Sequence, residues 1–122
     1  PTKSVKRNIS RGDIDRVEGK KKLMELTAYT AYNCDKSEND PAFGVTASGK
    51  KVKEWRTIAS GKCFSFGTRV YIPYFKDYPN QGIFVVEDRG GAIDNDNLDI
   101  YMSSLSEAKK FGRQTLEVYI LD

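Results

Sequence analysis

The chain has no histidine and only two cysteines, Cys34 and Cys63, in 122 residues. Without an imidazole, a Cys/His or Ser/His/Asp catalytic unit has no base. Two thiols without further ligands fall short of a structural zinc site, which takes four donors. The pair leaves two readings open: a disulfide if the protein is exported, or two buried free thiols if it is not. No apolar run approaches the length needed to cross a bilayer, and no signal-peptide core precedes the first charged residues. Basic helix faces and base-stacking aromatic motifs are also missing, so no tight nucleic-acid site is expected.

What is present suits one compact domain, because the length supports a single hydrophobic core and no more. Charge is uneven along it. Residues 1–22 carry eight Lys or Arg against Asp13, Asp15 and Glu18, a surplus of five, so the net charge of +3 leaves residues 23–122 at −2. Residues 1–22 therefore read as a basic linker or N-terminal extension, with a short helical turn expected over 10–18. Starting at Pro1, the chain reads as a processed product or an excised fragment attached to an upstream module. The expected domain is 23–122.

In that domain Tyr, Phe, Val and Ile recur between Gly, Pro and Asn, the pattern of many short strands. Strands are predicted at 23–33, 44–48, 55–59, 68–73, 82–87, 98–102 and 115–121, with the turn-rich stretch 74–81 between the two clearest. One helix is predicted from Leu105 to Phe111. Ser104 and Glu107 form a capping box before it, and Gly112 stops it. An all-β class with a single short helix near the C-terminus, arranged as a small closed barrel, is the expected architecture.

The candidate chemistry lies in carboxylates. Asp88 and Asp99 sit in or at the ends of strands otherwise made of apolar residues, where a charge is costly unless hydrogen-bonded or used. A carboxylic acid partly desolvated beside a second carboxylate keeps its proton to higher pH and can donate it to a leaving oxygen. The run Asp94-Asn95-Asp96-Asn97-Leu98-Asp99 has the oxygen density of a calcium loop. It departs from the EF-hand pattern at its fifth position, Leu98, and at its twelfth, Leu105, so no metal or other cofactor is expected.

Several words of the sequence are more specific: Leu26-Thr27-Ala28-Tyr29-Thr30-Ala31-Tyr32, Gly44-Val45-Thr46-Ala47-Ser48-Gly49, Phe66-Gly67-Thr68-Arg69-Val70-Tyr71-Ile72-Pro73, Glu87-Asp88-Arg89-Gly90-Gly91-Ala92-Ile93 and Leu98-Asp99-Ile100-Tyr101-Met102. In these, residues 26–122 resemble the three-aspartate (3D) domain family of bacterial cell-wall proteins, which is similar to the catalytic barrel of membrane-bound lytic transglycosylase A. The resemblance implies a six-stranded double-psi β-barrel and a lytic transglycosylase. Such an enzyme cleaves the bond between N-acetylmuramic acid and N-acetylglucosamine without water and leaves a 1,6-anhydro end. Asp99 would be the acid and Asp88 its neighbour. Thr27, Thr30, Thr46, Ser60, Gly90 and Gly91 are the candidate substrate-binding positions, the hydroxyls for sugar contacts and the glycines for close backbone approach.

The implied partner is the peptidoglycan glycan strand, met outside the cell or in the wall, including as part of a phage-encoded lysin. A monomer with no membrane insertion is expected. One departure stands out: the place of the family's first aspartate is taken by Ser60. Two alternatives follow, a non-catalytic module that binds wall glycan and a glycoside hydrolase on the same barrel.

Overall fold

A computed structural model describes residues 19–31, 43–90 and 93–121. The helical turn predicted over 10–18, Cys34 and Gly91 lie outside those residues. Six strands form one sheet: β1 (Lys20–Tyr29), β2 (Thr57–Ser60), β3 (Arg69–Tyr71), β4 (Ile83–Arg89), β5 (Asn97–Tyr101) and β6 (Gln114–Ile120). In the order β1-β5-β2-β4-β3-β6 the sheet closes on itself as a barrel, with β6 paired back to β1. Two of the pairings, β1 with β5 and β2 with β4, are parallel.

Alternation along the strands explains which face goes inward. Met24 and Leu26 of β1, Phe84 and Val86 of β4, Leu98 and Ile100 of β5 and Val118 of β6 all enter one buried cluster with Ile58 and Val70. Residues between them, such as Leu23, Glu25 and Thr27 on β1, point the other way, as the two-residue period requires. Each fully buried Leu, Ile, Val or Phe stabilises the fold by about 1.5–3 kcal/mol. Truncating one of them, for example Leu98→Ala, costs about 2–5 kcal/mol.

The helix α1 spans Leu105–Phe111, as predicted. Its N-cap hydroxyl on Ser104 accepts from the Glu107 N–H, and Gly112 closes the other end with a positive φ of 65°. Three predicted strands differ from the structure. Residues 44–48 form a tight turn with a single bridge between Val45 and Lys51, because the Thr46 hydroxyl accepts from the Lys50 N–H and the backbone folds back on itself. The predicted strand at 55–59 begins at Thr57 instead, since Trp55 takes φ 70°. For a side chain this bulky the left-handed region costs about 1–3 kcal/mol. β1 starts at Lys20, so Lys20, Lys21 and Lys22 of the basic extension pair with β6. Lys21 pairs with Glu117 of β6 at 2.9 Å, and Lys22 with Asp96, just before β5, at 3.4 Å.

Cys63 is an exposed free thiol rather than a buried one. No helix among the described residues is long and apolar enough to cross a membrane.

Candidate active site

Asp88 and Asp99 meet in one row across the barrel wall. Thr27 on β1 faces Asp99 on β5, Asp99 faces Ala59 on β2, and Ala59 faces Asp88 on β4. Registered residues on neighbouring strands share a face, so both carboxylates stand on the side opposite the core residues Leu98 and Ile100. Their Cα atoms are two strand spacings apart, about 10 Å, and only the methyl group of Ala59 lies between them.

A bulge creates this alignment. The β2–β4 register places Ile58 opposite Val86 and Ala59 opposite Asp88, so Glu87 is an extra residue on β4. Without it Ala59 would face Glu87, and Asp88 would fall one row away from Asp99. Glu87 itself is buried, at 3% exposed. Its Oε1 accepts from Arg56 Nε at 3.0 Å and from the Thr57 hydroxyl at 2.8 Å.

The two aspartates are held differently. Asp88 accepts three hydrogen bonds: from the Tyr29 hydroxyl on Oδ2 at 2.9 Å, and on Oδ1 from the Ala47 N–H at 2.8 Å and its neighbour Arg89's N–H at 2.9 Å. Asp99, among the described residues, accepts from the Thr27 hydroxyl at 2.9 Å. Burial pushes the Asp99 carboxyl above the usual carboxylate range. The Thr27 hydrogen bond opposes that push, and the charge of Asp88 adds to it. A half-buried acid that keeps its proton beyond the ordinary range, with a second carboxylate beside it, is equipped for proton donation.

Tyr29 and Tyr101 continue the row by one step, paired across β1 and β5 with ring centroids 5.8 Å apart and edge to face. Burial and the Asp88 charge raise the Tyr29 hydroxyl far above its ordinary range, so it serves as a donor to Asp88. Burial and the nearby Glu54 raise Tyr101 as well. Tyr29 stands in one of the family-like words, yet sequence reasoning gave it no role. The signal was its position two residues after Thr27, which puts both on the outward face of β1.

Of the other candidate positions, Thr27 joins the row, whereas Ser60, Thr30 and Thr46 are buried. Ser60 is paired one row over with Leu98 and Arg89. Its hydroxyl donates to the Gly61 carbonyl and accepts from Arg89 Nη1, both at 2.9 Å. The same Nη1 lies 2.5 Å from the Gly61 carbonyl and 2.7 Å from that of Phe64. The Arg89 guanidinium rests over the Phe66 ring, 4.3 Å from its centroid. Ser60 is thus part of the support for Arg89. Thr46 shares a hydrogen bond of 3.0 Å with Ser48, whose N–H bonds the Glu87 carbonyl at 3.1 Å. That docks the turn carrying Ala47 against Asp88. A Cβ at Gly90 would lie 2.6 Å from Ile93 Cδ1, so any larger residue there would displace the Ile93 side chain.

The 94–97 run is built as a polar turn: Asp94 Oδ1 accepts from the Asp96 N–H at 3.0 Å, and Lys22 Nζ donates to the Asn95 carbonyl at 3.0 Å.

No curated protein sequence matches the chain. Among solved structures it is similar to the membrane-bound lytic murein transglycosylase from Agrobacterium tumefaciens, at 20% identity and a TM-score of 0.46. That match covers 62% of this chain and 25% of the other, so the chain corresponds to about a quarter of the neighbour's length. The family model described as the 3D domain matches residues 56–122. The span takes in Ala59, both aspartates and the words around them, and it leaves out the β1 words that pack against it. With more than half of its length matched, the chain belongs to the 3D domain family.

Proposed function

We propose that this domain is a peptidoglycan lytic transglycosylase with Asp99 as its acid, on a barrel of the double-psi type. The observation that carries the reading is the environment of Asp99: half-buried, held by one hydroxyl and placed in register with a second carboxylate. Membership of the 3D domain family and the mixed strand order with two parallel pairs support it.

In the proposed reaction the Asp99 carboxyl gives its proton to the glycosidic oxygen as the bond from C1 of N-acetylmuramic acid breaks. The C6 hydroxyl of the same sugar then closes on C1 and returns its proton to the Asp99 carboxylate. No water is consumed, the product carries a 1,6-anhydro ring, and the acid is regenerated. Asp88 raises the proton affinity of Asp99 and is itself held by Tyr29, Ala47 and the Arg89 backbone. Thr27 orients Asp99. Ser60, buried one row over, supports Arg89, and Thr46 supports the turn that carries Ala47 to Asp88.

A hydrolase on the same barrel would use Asp88 to activate water, and a binding module would use neither aspartate. Replacement of the family's first aspartate by Ser60 favours the binding module only if that position belongs to the carboxylate row. Ser60 sits one row away, among Leu98 and Arg89.

Purified peptidoglycan digested with the chain, its fragments read by mass spectrometry, tests the reading. Anhydro-muramic ends are expected. Reducing ends would replace the transglycosylase by the hydrolase, and sedimentation with the wall without any fragments would leave a binding module. The reading places the domain outside the cell or in the wall.

A further inference from the structure

Away from the carboxylate row, the barrel end toward which β5 runs carries an open cavity of about 300 Å³. Phe75 forms its floor. Tyr74 and Tyr78 stand edge-on to that ring, with centroids 4.9 and 5.3 Å from it, and Trp55 leans against Tyr78 at 4.6 Å. Tyr74 and Tyr78 are 52% and 44% exposed, so large ring surfaces remain open to solvent. The rim is polar: Glu107 and Lys110 from α1 bring one charge of each sign, and Gln114 is held by its hydrogen bond to the Phe111 carbonyl at 3.1 Å.

The backbone around this cavity is strained. Trp55, Asn80 and Gln81 all take left-handed φ values, of 70°, 64° and 54°, and Asn80 Nδ2 donates to the Trp55 carbonyl at 3.3 Å. Strain held in place by a surrounding structure is a common property of ligand clamps. Met102 reaches the cavity three residues beyond Asp99, about 10 Å along the strand direction.

We infer that this cavity is a second carbohydrate subsite, holding a pyranose unit of the same glycan strand at a distance from Asp99. The inference rests on peptidoglycan being the substrate polymer. Open aromatic faces suit a ligand with one apolar face, and a charge-balanced rim with a fixed amide suits hydroxyl and acetamido groups rather than an ion. A hydrocarbon chain would leave the rim groups desolvated without partners. A nucleic acid would need more than the single cation, Lys110, that lines the cavity.

Trp55 is the only tryptophan, so its emission reports on this cavity alone. The experiment uses Asp99→Asn, so that ligand is not cut, and titrates it with glycan strands freed of stem peptides and, separately, with free stem peptide. A saturable change in Trp55 emission is expected with the glycan and none with the peptide. Tyr74→Ala and Tyr78→Ala, each in the same background, should weaken glycan sedimentation about tenfold at a temperature well below their thermal midpoints, which fall only as far as the lost packing on Phe75 requires. Gln114→Ala should weaken it in the same direction.

Unchanged Trp55 emission where sedimentation is saturated, an equal response to the stem peptide, or no glycan binding at all would overturn the inference. Failure of the wild type to release fragments would sink the proposed chemistry and leave this subsite standing.

Discussion

Two carboxylates, on strands β4 and β5 with β2 between them, show how the same group is held in different ways. Glu87 is buried, neutralised by the Arg56 guanidinium and hydrogen-bonded by the Thr57 hydroxyl. Asp99 is half-buried, and among the described residues no cation reaches it: burial, Thr27 and Asp88 account for its displaced proton affinity. Burial that is compensated gives structure, whereas burial left uncompensated raises the proton affinity of the acid and makes it a donor. The bulge at Glu87 sets up the contrast, because one inserted residue moves Asp88 into the row of Asp99.

The contrast can be broken from the structural side first. Glu87→Ala leaves the fully buried Thr57 hydroxyl and Arg56 Nε without their acceptor and the guanidinium without its counter-charge, and is expected to cost about 3 kcal/mol in urea unfolding. Ser60→Ala removes one acceptor from Arg89, which keeps the Gly61 and Phe64 carbonyls, so a loss of about 1 kcal/mol is expected. Arg113→Ala deletes an exposed pair with Glu25 at 2.7 Å and should change stability by no more than about 0.5 kcal/mol. Asp88→Asn sharpens the functional side: with the neighbouring charge gone, Asp99 holds its proton less tightly, and the alkaline limb of the pH–rate profile should move to lower pH.

How much of this was legible in the sequence depended on whether the signal was local. The helix Leu105–Phe111 was, because Ser104, Glu107 and Gly112 write both of its ends. The strand around Asp99 was too, since Leu98 and Ile100 alternate with it. The strand order was not legible, because β1 pairs with β5 and β2 with β4 across long stretches of chain. The bulge was hidden for the same reason: it exists only relative to β2. Residues 44–48 have strand-like composition, but a side-chain hydrogen bond from Thr46 captures the backbone first. The roles of Asp88 and Asp99 rested on family resemblance, and their shared row required the fold. The burial of Ser60 beside Arg89 is likewise a tertiary fact that its sequence neighbours do not carry.

The most direct test of Asp99 as the uncompensated acid is Asp99→Asn, measured for cleavage of purified peptidoglycan and for its thermal midpoint on the same sample at pH 7. The raised affinity means that the folded protein binds this proton more tightly than the unfolded chain. Its contribution to stability is therefore present at low pH and lost as pH rises through the folded value. At pH 7 the neutral amide, which can still accept from Thr27, should leave the midpoint equal or higher, while cleavage falls by between about a hundredfold and ten-thousandfold. Cleavage retained at the wild-type rate, or a midpoint that drops sharply, would show that Asp99 is a structural residue and not the acid.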